Sequence, residues 1–138
     1  MQIFIIGSIL ETASSLDKRR LWKQILEVRQ IMKAIKGESQ SWKNHPITKM
    51  YKNHLDWLSL YEEIFIAYHK QDYERAINLQ KQEPGIRPYF LHPEYLENMK
   101  KRLYTKDNIH YSQWGFLGES YINLYYIDNT WVRYEQKV

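Results

Sequence analysis

Arg20, Lys23, Gln24, Glu27 and Gln30 follow one another at steps of three, one, three and three. On a helix those steps keep all five on one flank. A carboxylate is thereby held among cations on a rigid element. Cations suit phosphate, whereas a carboxylate repels it unless it has a chemical task, such as moving a proton or stabilising a developing positive charge. The plainer reading is that Lys23 and Glu27 form an exposed i,i+4 ion pair contributing about 0.3–0.5 kcal/mol.

Two further clusters carry similar chemistry. Trp42-Lys43-Asn44-His45-Pro46 sets an aromatic, a cation, an amide and an imidazole just before a helix start, where free N–H groups form a natural phosphate site. Asn44 or His45 would equally serve as a simple N-cap. Lys100-Lys101-Arg102, followed by Lys106-Asp107 and His110-Tyr111, reads as a phosphate clamp with a stacking aromatic, or as a basic helix end that complements the helix dipole. His54 and His69 read as satisfied polar positions. The five histidines show no HxxxH or HExxH spacing and cysteine is absent, which argues against a metal centre and excludes disulfides and thiolate nucleophiles. With no Gly-rich phosphate loop and no GxSxG, nucleotide hydrolysis and serine-hydrolase chemistry are poor fits.

The elements that must position these residues are mostly helical. Leu21, Ile25, Val28, Met32 and Ile35 repeat at four and three, predicting an amphipathic helix over 14–36, with Ser14 or Ser15 as its cap and Gly37 as its end. The apolar run 2–6 is a short strand or a buried arm. A loop over 38–45 leads to Pro46 and a long helix to about residue 69, with Tyr51, Leu55, Leu58, Tyr61, Phe65 and Tyr68 as its apolar face. A short helix follows over 72–82, then a turn over 83–88 rich in proline and glycine, then a helix from Pro93 to about Tyr104. Residues 105–138 are aromatic and aperiodic and read as a tail wrapped over the bundle, with a hairpin near Tyr121–Arg133 as the alternative. The expected fold is all-α: a compact single-domain helical bundle over 1–138, with an N-terminal arm and an aromatic, largely irregular C-terminal tail.

Composition bounds the function. The 138 residues suit one domain, and 43 % hydrophobic content supports a real core. Residues 17–53 hold ten Lys or Arg and three acids, a net +7, although the whole chain carries only +4. Such a concentration points to a polyanionic partner, with a solvated lysine-rich surface as the bland alternative. No apolar run approaches the roughly 18 residues a membrane span needs. The opening MQIFIIGSIL lacks a basic leader and meets Glu11 at once, so it does not read as a signal peptide. A cytoplasmic monomer is the expectation.

Three stretches taken together resemble the pyrimidine-dimer DNA glycosylases, the family of phage endonuclease V and its bacterial relatives. They are Met1-Gln2-Ile3-Phe4, the run from Ser15 through Leu16-Asp17-Lys18-Arg19-Arg20-Leu21-Trp22-Lys23-Gln24 to Glu27, and Trp42 to Pro46. Lys106-Asp107 with His110-Tyr111 looks like a late basic motif of the bacterial branch. The similarity is best over 1–60. It implies a helical fold threaded by its N-terminal arm, and a terminal α-amine that attacks C1′ of the damaged nucleotide, releases the base as a Schiff base forms, and nicks the strand by β-elimination. Glu27 stands at the family's helical glutamate. Residue 2 is Gln, before which an initiator Met is normally retained, so the amine expected is that of Met1, or of Gln2 where Met1 is lost. Where the family has arginines directly before and three after the glutamate, this chain has Leu26 and Gln30. Arg19, Arg20, Lys23, Gln24, Trp42, Lys43, Asn44 and His45 are then expected to bind duplex DNA, with Trp22 or Trp42 filling the gap left by a flipped nucleotide. No metal or organic cofactor is implied. A non-catalytic nucleic-acid-binding module that keeps the fold is the alternative.

Overall fold

The computed structural model describes residues 2–115 and 121–134. The chain enters as an extended arm over 2–6, and burial decides its fate: Ile3 and Ile5 are fully enclosed and Phe4 and Ile6 nearly so. Among the described residues the arm pairs with no strand, and side chains bond its backbone instead. Gln24 Oε1 accepts the Phe4 N–H at 2.8 Å, and Thr12 Oγ1 accepts the Ile6 N–H at 3.0 Å. Of the two sequence readings of this run, buried arm is the one observed.

The helix expected over 14–36 starts later than read, and a separate short helix precedes it. α1 spans Ile9–Ser15, capped by Ser8, and α2 spans Lys18–Ile35, capped by Asp17. Neither Ser14 nor Ser15 is a cap; both hydroxyls bond back to the Glu11 carbonyl. α2 ends at Gly37, whose φ of 76° fits a left-handed C-terminal cap. The second expected helix is broken. α3 (Pro46–Met50) carries its proline in the first turn, and α4 (Leu55–His69) restarts after a turn over 51–54. α5 (Tyr73–Gln80) is close to expectation, whereas α6 (Glu83–Ile86) is a short helix inside the segment read as a turn. α7 covers Pro93–Lys106.

The all-α expectation needs one correction. A 3₁₀ turn over His110–Trp114 and an antiparallel hairpin, β1 (Asn123–Ile127) with β2 (Thr130–Tyr134), occupy much of the tail read as irregular, and the hairpin stands where the alternative reading of Tyr121–Arg133 put it. The turn residues Asp128 and Asn129 have φ of 50° and 63°, the signs that let a two-residue turn follow the strand twist. The fold is mostly helical with a two-stranded appendage.

Core residues of the arm, α1, α2, α4 and the hairpin form one cluster. Along α4, Trp57, Tyr61 and Phe65 repeat every turn; the Tyr61 and Phe65 rings stack at 4.0 Å. One charge lies within this apolar mass. Glu83 is buried, and its Oε1 accepts from Ile9 N–H and Gln80 Nε2, while its Oε2 accepts from Trp57 Nε1 and Arg87. Four donors from α1, α4, α5 and the loop after α6 converge on one carboxylate. A buried donor left without its acceptor costs about 1–3 kcal/mol, and removing Glu83 would strand both the Ile9 N–H and the Trp57 indole N–H. Glu83→Ala should therefore lower unfolding stability by about 3–5 kcal/mol, read as a fall in the urea midpoint at unchanged slope; a midpoint equal to the parent's would show that the four bonds contribute nothing net.

Candidate active site

The flank of α2 predicted to carry chemistry meets the N-terminal arm. Gln24 is the junction. It is buried, and all of its bonding capacity is used inside the protein. Its Oε1 accepts from the Phe4 backbone and lies 2.8 Å from the Tyr61 hydroxyl, which is itself 2.7 Å from the Phe4 carbonyl. Its Nε2 donates to the Gln2 carbonyl at 2.9 Å and to Glu27 Oε2 at 3.0 Å. One amide thus fixes the start of the chain and the orientation of the carboxylate together.

Glu27 is partly buried, with its side chain 18 % exposed and Lys23 Nζ at 4.0 Å. Burial pushes its carboxyl above the usual value, opposed by the Lys23 charge and by a hydrogen bond from the Gln2 backbone N–H. A carboxyl raised by desolvation while facing cations has the character of a proton-transfer group. Met1 lies outside the described residues. Gln2 is within them, and the Gln24 amide nitrogen joins its carbonyl to Glu27 Oε2.

Glu27 lines a cavity of about 470 Å³, a size suited to a small ligand or an extruded nucleotide. Gln2, Phe4, Gln24, Arg19, Arg20 and Lys23 share its lining, as do Asp17, Arg102, Lys106 and Asp107. Five cations and three carboxylates therefore surround it. Asp17 caps α2 and bonds Arg20 at 3.1 Å. Burial opposes its charge, but hydrogen bonds from Tyr111 and Arg20 outweigh that and hold the carboxyl below its ordinary value. Lys106 is also pushed down, first by burial and then by Arg102, Arg20 and Lys23.

The second predicted cluster does not line this cavity. Trp42 is half exposed, with φ of 65°, and Lys43 and Asn44 are exposed. His45 caps α3: its Nδ1 accepts the Ile47 N–H at 3.1 Å, and burial lowers its pKa. Its ring lies edge-on to Trp42 and Tyr125. Gln30 is exposed outside the cavity, and Trp22 rests on the His69 ring at 5.1 Å. Arg102, Lys106 and Asp107 had a sequence signal, the basic run at 100–106, but no local pattern tied it to Glu27. Among the described residues, no group of three or more metal-ligating side chains converges, and no helix is long and apolar enough to cross a membrane.

No curated protein and no solved structure matches the chain. The family model for pyrimidine dimer DNA glycosylase matches residues 1–74. The matched stretch carries the arm, Asp17, the cationic flank of α2, Gln24 and Glu27, together with the loop and cap at 42–45. A helical protein with a cation-lined cavity built around one raised carboxyl is consistent with that match, and the chain belongs to the pyrimidine dimer DNA glycosylase family, whose substrate is DNA.

Proposed function

We propose that this protein excises a pyrimidine dimer or a related base lesion from duplex DNA and then nicks the abasic site, with the α-amine at the chain's start as nucleophile. The observation that carries this reading is the juxtaposition of Gln2 and Glu27 in the cationic cavity.

In the first step the amine nitrogen bonds to C1′ and the glycosidic bond breaks. The base leaves with the electron pair and takes up a proton. The nitrogen loses a proton and the C1′–O4′ bond opens, O4′ taking up a proton as the C1′=N Schiff base forms, with Glu27 carrying the proton between them. A base then removes a C2′ proton, the C3′–O bond breaks with its electron pair leaving on the 3′-phosphate, and water hydrolyses the imine to free the amine. An α-amine suits the role because its ordinary pKa of about 7.7–8.0 leaves a useful neutral fraction at pH 7, whereas a solvated lysine at about 10.4 has almost none. Arg19, Arg20 and Lys23 at the cavity would hold phosphates, with Trp42, Lys43, Asn44 and His45 extending the contact.

Glu27→Gln separates chemistry from binding. On a duplex carrying one pyrimidine dimer, the variant should lose most strand cleavage and keep its DNA affinity; cleavage at the parent's rate would remove Glu27 from the mechanism. The same variant tests the electrostatics. A carboxyl whose folded pKa is raised contributes stability in acid and loses it as pH rises through the folded value. At pH 7 Glu27→Gln should therefore melt no lower than the parent, and any advantage should close as pH falls below the ordinary 4.5. An independent handle is the chain start: an N-terminal extension of a few residues should abolish nicking while leaving salt-sensitive duplex binding. Full nicking by the extended protein would contradict the amine's role.

A further inference from the structure

One wall of the cavity comes from beyond residue 74, the end of the family match. It is the end of α7 with Asp107, and three contacts made by Asp107 and the 3₁₀ turn that follows tie it to the α1–α2 corner. The Tyr111 hydroxyl donates to Asp17 Oδ1 at 2.6 Å and lies 3.4 Å from the Asp17 N–H. His110 Nε2 lies 3.2 Å from the Ser15 carbonyl. Arg20 bridges Asp17 at 3.1 Å and Asp107 at 3.9 Å. The Tyr111 ring is fully buried and stacks on Trp114 at 4.9 Å. The hydroxyl therefore cannot reorient without moving the whole turn.

What this wall presents is positive. Arg102 and Lys106, one helical turn apart, both line the cavity. Arg102 is held by Asn123 at 2.6 Å and by the Tyr121 ring. Lys106 differs: it is partly open to solvent and, among the described residues, no carboxylate stands within ion-pair distance of it. The charges of Arg102, Arg20 and Lys23 act on it more strongly than that of Glu27. That arrangement fits an arriving anion, and phosphate supplies one.

We infer that Tyr111 is a positioning residue: by its bond to Asp17 it latches the α7 end onto α2, and so places Lys106 to take a backbone phosphate of DNA at the Glu27 cavity. The inference rests on the reading that this cavity receives DNA, and it adds two roles to that reading. Lys106 touches the substrate; Tyr111 acts only through Lys106.

The test is duplex binding across a salt series, using an uncleavable tetrahydrofuran abasic-site analogue and fluorescence anisotropy. Each phosphate contact adds about 0.9 to the slope of log affinity against log salt. Lys106→Met should lower the slope by about one unit. Tyr111→Phe, which keeps the ring and loses the hydroxyl, should lower it by a similar amount, and the double variant should fall no further than Tyr111→Phe alone. A merely structural tyrosine would not produce that non-additivity. Should Tyr111→Phe fold poorly, Asp17→Asn, which keeps a capping oxygen but loses the charge, should show the same direction of slope change. An unchanged slope in Lys106→Met, or additive losses in the double variant, would overturn the latch. Because no cleavage is read, a parent that binds with the expected slope pattern but never excises a base defeats the glycosylase reading and leaves the latch standing. A parent that excises while Tyr111→Phe keeps its slope defeats the latch alone.

Discussion

The amide of Gln24 is the interaction on which the site depends. An extended arm driven inside by Ile3 and Ile5 brings backbone N–H and C=O groups with it, and no sheet is there to satisfy them. A buried amide left unpaired costs about 1–3 kcal/mol per group. Gln24 answers this because it offers an acceptor and two donors on one rigid plane. Its oxygen takes the Phe4 N–H, and its nitrogen serves the Gln2 carbonyl and Glu27. A glutamate there would lack the donors and a lysine the acceptor. The same bonds that make a buried arm tolerable set the chain's start against the one carboxylate of α2 that lines the cavity. Folding and the geometry of the site are consequences of one side chain.

The charge pattern follows a related logic. Seven net positive charges lie within residues 17–53, yet the cavity is not simply basic. Asp17, Glu27 and Asp107 are interleaved with Arg19, Arg20, Lys23, Arg102 and Lys106. Asp17 is consumed by Tyr111 and Arg20 and stays ionised below its ordinary range. Glu27 is desolvated and shifts upward. On a bare, solvated helix these two carboxyls would titrate much alike. Their surroundings push them apart, one below and one above its ordinary value.

Periodicity made part of this legible. The amphipathic stripe of α2 and the cationic flank beside it were readable because both are local, and Glu27 could be singled out as a carboxylate among cations. The arm's identity as arm or strand was not, since five apolar residues look alike in either. The start of α2 was misplaced because its cap, Asp17, competes with two nearby serines and the apolar stripe begins only at Leu21. Pro84 and Gly85 suggested a turn, but proline is at home in a helix's first turn and α6 forms there. Gln24 was read with Arg20 and Lys23 as a DNA-binding residue; it is instead buried, and its amide is taken up by Glu27 and by residues 2 and 4, the latter contacts reaching across twenty residues or more. Tyr111 with Asp17 spans ninety-four, and no spacing rule reaches that far. What the sequence hid was tertiary hydrogen bonding, which neither propensity nor period encodes.

The central claim is chemical: the arm's burial delivers a terminal amine to the Glu27 cavity as the nucleophile. Borohydride reduction of the protein on an abasic-site duplex, followed by peptide mass mapping, tests it directly. The account predicts a covalent cross-link on the amine of residue 1, or of residue 2 where Met1 has been removed. A cross-link on Lys23 or Lys106, the two lysines that line the same cavity, would contradict it.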